Sequence, residues 1–265
     1  MDLLTVLVMA WATQSGDVLL ADTINVPDST LEALEKKHGD KILPVDHPDM
    51  PAGLKLPTWT VITTAGAELV GVMGVQFVRG AGENHAFFVL KPTRPLSKGG
   101  QVEGLAIAKT LSHSPKLVAV PNKTTDRKLL KIVNKAFQKA RGKKLSKKAA
   151  KWVPRRLKPE HVSVVSGRFG GDFRYVYVSI PAKPSGKHRI DAGYVSAFGK
   201  LDSKGVITWG VTPRLGLSTL TPRYTVDSDG DGKDELIYSD HYYEGSYDSL
   251  LHPNGTKVRL GGDGA

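Results

Sequence analysis

The sequence predicts an α+β protein built mostly from antiparallel β-sheets, with one basic amphipathic helical segment at about 125–152. Short runs of branched and aromatic residues, separated by turn-forming residues, are typical of antiparallel strands. One segment instead repeats its apolar residues with helical periodicity. The chain has 265 residues and 40% hydrophobic content, which is enough to bury a core and excludes wholesale disorder.

Residues 3–12 form an uncharged, mostly apolar stretch that ends in Ala10-Trp11-Ala12 and is followed by polar residues. It is shorter than a membrane span, which needs about 20 residues. This pattern is typical of a signal peptide at 1–12, so we expect export to a secreted or periplasmic location and a mature chain that begins at Thr13. The alternative is a buried strand from Leu4 to Trp11. The chain has no cysteine, which excludes disulfides and cysteine-ligated metals.

Residues 13–122 are predicted to form a β-rich region with one short helix. That helix begins near Asp28 and ends at Gly39, a typical stop residue. A longer strand is expected at 69–78, where the glycine at position 74 would allow a neighbouring backbone to approach closely.

Residues 123–158 form a basic helical segment that holds 15 of the 37 Lys and Arg residues and a single acid, Asp126. Thr125 or Asp126 is suited to cap the helix. Its apolar residues share one side, and four lysines share the opposite side: Lys128, Lys131, Lys135 and Lys139. Three interpretations are open: the helix packs on a sheet, the lysines bind an anionic polymer or surface, or the segment links two β-rich regions. The segment contains no recognised nucleic-acid-binding motif.

Residues 159–265 are predicted to be an antiparallel β region. Its clearest strand is 173–180, and a hairpin is expected across the turn at 202–205. The region ends in a second hairpin, which follows a strongly acidic stretch.

That stretch, residues 227–235, is called the acidic loop here and carries the strongest chemical signal in the sequence. Carboxylates occupy alternating positions, and Gly232 allows the backbone to curl so that they converge. Calcium accepts six to eight oxygen ligands in flexible geometry and would neutralise their repulsion. The alternative is a turn that binds no ion, because Asp and Gly both favour turns. The predicted ligands are Asp227, Asp229, Asp231, a backbone carbonyl near Lys233, and Glu235.

The acidic loop resembles the D-x-D-x-D-G-x-x-(D/E)-L loop of FG-GAP/VCBS-type repeats, which form the blades of integrin-α-like propellers. The ligand positions of that family fall on Asp227, Asp229, Asp231 and Glu235, and Leu236 takes the place of its core residue. The longer run through Tyr242-Tyr243-Glu244-Gly245 resembles the C-terminal segment of uncharacterised exported bacterial proteins. The resemblance covers about the last 45 residues and occurs once, so it implies one calcium-bound hairpin within another β architecture.

The function expected from these features is that of an exported, non-catalytic binding or structural protein whose C-terminal hairpin is stabilised by calcium. A secreted hydrolase of an extracellular polymer, with structural calcium, is the first alternative. Its candidate catalytic residues are Glu83, His85 and His241, although no hydrolase motif accompanies them. A protein that binds an anionic polymer or surface through the basic helix is the second.

Overall fold

The computed structural model describes residues 7–12, 18–22, 28–52, 55, 58–79, 84–92, 103–121, 123–141, 153–181, 193–216, 218–242 and 245–263. Two α-helices lie within them, α1 (Asp28–His38) and α2 (Arg127–Arg141). The strands are β1 (Leu7–Ala12), β2 (Leu19–Asp22), β3 (Leu43–Pro44), β4 (Thr58–Thr63), β5 (Gly66–Arg79), β6 (Asn84–Lys91), β7 (Glu103–Ile107), β8 (Val118–Ala119), β9 (Val162–Val165), β10 (Phe173–Pro181), β11 (Tyr194–Asp202), β12 (Ile207–Gly216), β13 (Thr219–Val226), β14 (Glu235–Tyr242), β15 (Gly245–Leu251) and β16 (Lys257–Asp263).

The protein is rich in β-structure and its sheets are mostly antiparallel, which confirms the coarse fold prediction. The strand expected at 173–180 is β10, and the turn at 202–205 joins β11 to β12 as predicted. The chain forms two compact units, which are described separately. The first comprises residues 1–117 and 259–263, and the second comprises residues 118–258.

The sheet of the first unit is closed. Its strand order is β3-β5-β4-β7-β1-β2-β6, and β5 also pairs with β6, so that six strands form a barrel with β3 attached to β5. The residues assigned by sequence to a signal peptide contribute β1, which pairs with β2 and β7. Val8 and Ala10 of this strand are buried.

The core of the first unit is built around Trp59, which is fully buried and packs against Phe88 with ring centroids 4.9 Å apart. Two leucines of α1, Leu31 and Leu34, belong to the same core cluster. Gly74 allows β3 to approach β5 as predicted, because a Cβ atom at this position would collide with the backbone carbonyl of Leu43.

The second unit contains a four-stranded sheet of order β12-β11-β10-β9. Helix α2 packs on it through Val133 and Phe137, which are buried among apolar residues of β10 and β11. Of the two predicted caps, Asp126 is the one seen: its Oδ1 accepts hydrogen bonds from the backbone N–H groups of Lys128 (2.8 Å) and Leu129 (3.1 Å). Residues 142–152, the rest of the predicted helical segment, lie outside the described residues.

The remaining sheet has the order β16-β15-β14-β13-β8. Its strands β13 and β14 flank the acidic loop, and their pairing brings Val226 opposite Glu235. A compact apolar cluster lies next to this position and contains Leu236, Phe169 and Tyr175. The rings of Phe169 and Tyr175 meet edge to face, with centroids 4.7 Å apart. The acidic loop is therefore supported by a well-packed part of the second unit.

Candidate metal centre

The acidic loop is shaped by hydrogen bonds between its own carboxylates and backbone. Asp227 accepts from the N–H groups of Gly230 (2.8 Å) and Gly232 (3.1 Å), one to each carboxylate oxygen. Asp229 accepts from the N–H of Asp231 at 3.1 Å. Both glycines have φ near +81°, a conformation that other residues adopt only with strain, so the two glycines allow this tight path. These hydrogen bonds fix the orientation of the Asp227 and Asp229 carboxylates within the loop.

The predicted ligands form two overlapping groups. Asp227, Asp229 and Asp231 offer oxygens that all lie within 4.8 Å of one another, and Asp229, Glu235 and His252 offer ligand atoms within the same limit. A calcium ion holds its ligands at 2.3–2.6 Å, which places them at most about 5 Å apart. Both groups therefore have the spacing that one cation needs, and Asp229 belongs to both.

Glu235 is the most unusual carboxylate of the loop, because its side chain is only 1% exposed. Its Oε2 accepts a hydrogen bond from the backbone N–H of Ser228 at 2.8 Å, and its Oε1 lies 3.5 Å from Nδ1 of His252. Burial raises the pKa of the Glu235 carboxyl above its usual range, and the charge of Asp229 acts in the same direction. The charged form of Glu235 is therefore disfavoured unless a cation lies close to it.

Two basic residues neutralise part of the acidic loop. The Lys233 ammonium contacts Asp231 at 2.8 Å and holds the pKa of that carboxyl below its usual range. Arg168 donates to Asp234 at 3.0 Å and lies 3.6 Å from Asp227. The loop carries five carboxylates, so these ion pairs involve only part of its acidic groups. The backbone N–H of Lys233 also donates to Oδ1 of Asp231 at 2.7 Å, and the role expected for a backbone carbonyl near Lys233 stays a prediction.

His252 was not among the sequence-predicted residues, although the hairpin contains a signal for it. Strands β14 and β15 pair antiparallel, with Leu236 opposite Leu251. One step back along β14 therefore corresponds to one step forward along β15, which brings Glu235 and His252 together. Extending the predicted hairpin pairing by one residue would have found this contact.

Of the other residues singled out in the sequence, those whose side chains the structure describes do not join this centre. The four lysines predicted to bind anions, Lys128, Lys131, Lys135 and Lys139, are exposed on α2, and an anionic partner for them stays a prediction. His241 is exposed on β14, opposite Ser246 of β15. Glu83 and the side chain of His85 lie outside the described residues.

No family model, curated protein or solved structure matches the chain, so the resemblance to FG-GAP/VCBS-type loops stays a prediction. Within the described ranges, neither α1 nor α2 is long and apolar enough to cross a membrane.

Proposed function

We propose that this chain is a non-catalytic binding or structural protein in which the acidic loop binds calcium and thereby stabilises the C-terminal hairpin. The observation that carries the proposal is the buried Glu235, which lies with Asp229 and His252 in a region of excess negative charge. Burying a carboxylate among other carboxylates costs free energy that a bound divalent cation would offset.

The size of the stabilisation follows from mass action. Extracellular calcium modules bind with dissociation constants of about 10⁻⁴ to 10⁻³ M. At about 1 mM calcium and a constant of about 0.1 mM, the free energy of unfolding rises by about 1.4 kcal/mol. For a chain of this size, that corresponds to a rise of a few degrees in melting temperature. Magnesium substitutes poorly, because it requires tight octahedral geometry and retains its waters.

The test is thermal unfolding of the wild type and of Asp229→Ala in EDTA, calcium and magnesium, combined with calorimetric titration of calcium. Asp229→Ala removes the carboxylate shared by both ligand groups, so the calcium-dependent rise in melting temperature should disappear. Asp202→Ala is the matched control, because Asp202 is an acidic turn residue of the same unit that binds the N–H of Val206. This control should lower stability equally in EDTA and in calcium. Equal wild-type melting temperatures in EDTA and in excess calcium, with no calorimetric binding, would refute the proposal.

Export is a second part of the proposal and rests on the sequence of residues 3–12. Extracellular fluids supply calcium at the concentration that a weak site needs. Removal of residues 1–12 would also remove β1, so N-terminal sequencing of protein from the native host tests the export proposal and the place of β1 together. A mature chain that begins at Thr13 supports export, and a soluble cytoplasmic chain that retains Met1 or Asp2 contradicts it.

A further inference from the structure

His38, His47 and Asp49 form a second cluster of potential metal ligands, in the first unit, which is called the histidine cluster here. Their ligand atoms all lie within 4.8 Å of one another. Oδ2 of Asp49 is 2.9 Å from Nε2 of His38 and 3.7 Å from Nδ1 of His47. The two imidazole rings meet edge to face, with centroids 4.9 Å apart.

The backbone around the histidine cluster is held in place on both sides. His38 is the last residue of α1, which ends where the N–H of Gly39 bonds to the carbonyl of Glu35 at 2.7 Å. On the other side, the N–H of His47 bonds to the carbonyl of Pro44 at 3.1 Å, and the N–H of the buried Met50 bonds to the carbonyl of His47 at 3.0 Å. The three side chains are therefore presented from a helix end and from a hydrogen-bonded turn.

We propose that His38, His47 and Asp49 bind a divalent transition-metal cation of the zinc type. Zinc holds nitrogen and oxygen ligands at about 2.0–2.2 Å in tetrahedral geometry, which places neighbouring ligand atoms about 3.4 Å apart. The two separations from Oδ2 of Asp49, 2.9 and 3.7 Å, lie on either side of this value. Two imidazoles and one carboxylate are the donor set of such cations and not of calcium or magnesium, which prefer oxygen ligands.

Three existing contacts must give way when the cation binds. The first is the 2.9 Å hydrogen bond between Nε2 of His38 and Oδ2 of Asp49, because both atoms become ligands. The Lys37 ammonium lies 2.8 Å from the same Oδ2 of Asp49, and its side chain is 63% exposed, so it can move into solvent. The backbone N–H of Asp49 also contacts Nδ1 of His47 at 3.2 Å. Lys37 thus competes with the metal for Asp49, and water occupies the fourth position of the bound cation.

The test is equilibrium dialysis of the untagged full-length chain against zinc, in excess calcium so that the acidic loop is already occupied. The wild type should bind one zinc ion that His47→Gln and Asp49→Asn each weaken at least about tenfold, since even outer contacts of zinc sites change affinity by about 10–100-fold. His241→Gln is the matched control, because it removes an exposed histidine of β14 that is not part of the histidine cluster, and it should bind zinc as the wild type does.

A second readout does not depend on removing a ligand. Lys37→Gln removes the competing positive charge and should tighten zinc binding several-fold, while Lys41→Gln, another exposed lysine nearby, should not. Cobalt bound in place of zinc should show the visible spectrum of tetrahedral coordination in the wild type, and that spectrum should be lost in His47→Gln. Zinc binding that is unchanged in His47→Gln and Asp49→Asn, measured in the Asp229→Ala background as well, would overturn the proposal. Unfolding in EDTA shows whether each variant is folded.

Discussion

The acidic loop and the histidine cluster both gather potential metal ligands, but they differ in how their charges are balanced. In the acidic loop, five carboxylates lie close together, Arg168 and Lys233 form ion pairs with some of them, and one of the five, Glu235, is buried. In the histidine cluster, the single carboxylate of Asp49 already contacts the Lys37 ammonium. A cation at the acidic loop would therefore relieve repulsion between carboxylates, whereas a cation at the histidine cluster would have to displace an existing partner.

This difference separates the two expected ions. A hard cation with a flexible shell gains most where several carboxylates are preorganised and insufficiently neutralised. A transition metal gains most from imidazole nitrogens, which contribute no charge but bind it directly. Stability of the metal-free protein should therefore depend on the acidic loop much more than on the histidine cluster.

The largest change in the free energy of unfolding is expected for Glu235→Gln. This substitution removes the buried charge but retains an oxygen that can accept the hydrogen bond from the N–H of Ser228. In EDTA this variant should be more stable than the wild type, because the charged carboxyl is disfavoured by burial. In calcium it should lose most of the increment of about 1.4 kcal/mol. Denaturant unfolding in the two conditions measures both changes. Glu160→Gln, at an exposed carboxylate, is the control. A variant that is less stable in EDTA and responds fully to calcium would show that Glu235 is not part of a strained anionic centre.

A smaller change in the free energy of unfolding is expected for Arg168→Gln, which removes one of the two cations that form ion pairs with the acidic loop. Arg168 is 66% exposed, so solvent screens its ion pairs with Asp234 and Asp227, and they should contribute little to the stability of the metal-free protein. Their loss should make the calcium-dependent rise in stability larger than in the wild type, because more repulsion is left for calcium to relieve. Arg155→Gln, an exposed arginine of the same unit, should change neither value. A calcium response that shrinks in Arg168→Gln would contradict the charge argument.

The shape of the acidic loop could be predicted from sequence because its carboxylates are close together along the chain. Alternating aspartates and two glycines specify a tight turn, and the turn itself brings the carboxylates together. His252 required one further step, the register of the hairpin. The histidine cluster was missed because its three residues are spread over a helix end and an irregular passage, where no periodic pattern fixes the direction of a side chain.

The fold likewise could be predicted where it depends on residues close in sequence, and not where it depends on residues far apart. Strand β10 and the hairpin of β11 and β12 were predicted, because alternating residues and turn signals are local properties. Closure of the first sheet was not predicted, since it depends on pairings such as β1 with β7, whose partners are far apart in sequence. A single sequence does not specify such pairings, because many strands of similar composition could occupy each edge.

Of the substitutions at the acidic loop, His252→Gln is expected to have the smallest effect on calcium binding. It also allows the most direct comparison of the acidic loop with the histidine cluster. His252 lies 3.5 Å from Glu235, but calcium prefers oxygen ligands, and a glutamine amide can supply one in its place. The calcium-dependent stability should therefore change by less than about 0.5 kcal/mol, a value typical of neutral surface substitutions.

The matched substitution in the histidine cluster, His47→Gln, should have the opposite consequence, because there the imidazole itself binds the metal. Calorimetric titration of both variants with calcium and with zinc compares the two regions directly. If calcium binding is lost in His252→Gln, the acidic loop depends on a nitrogen ligand and its assignment to a hard cation is wrong. If it is retained while zinc binding is lost in His47→Gln, the two regions are distinguished by the chemistry of their donor atoms.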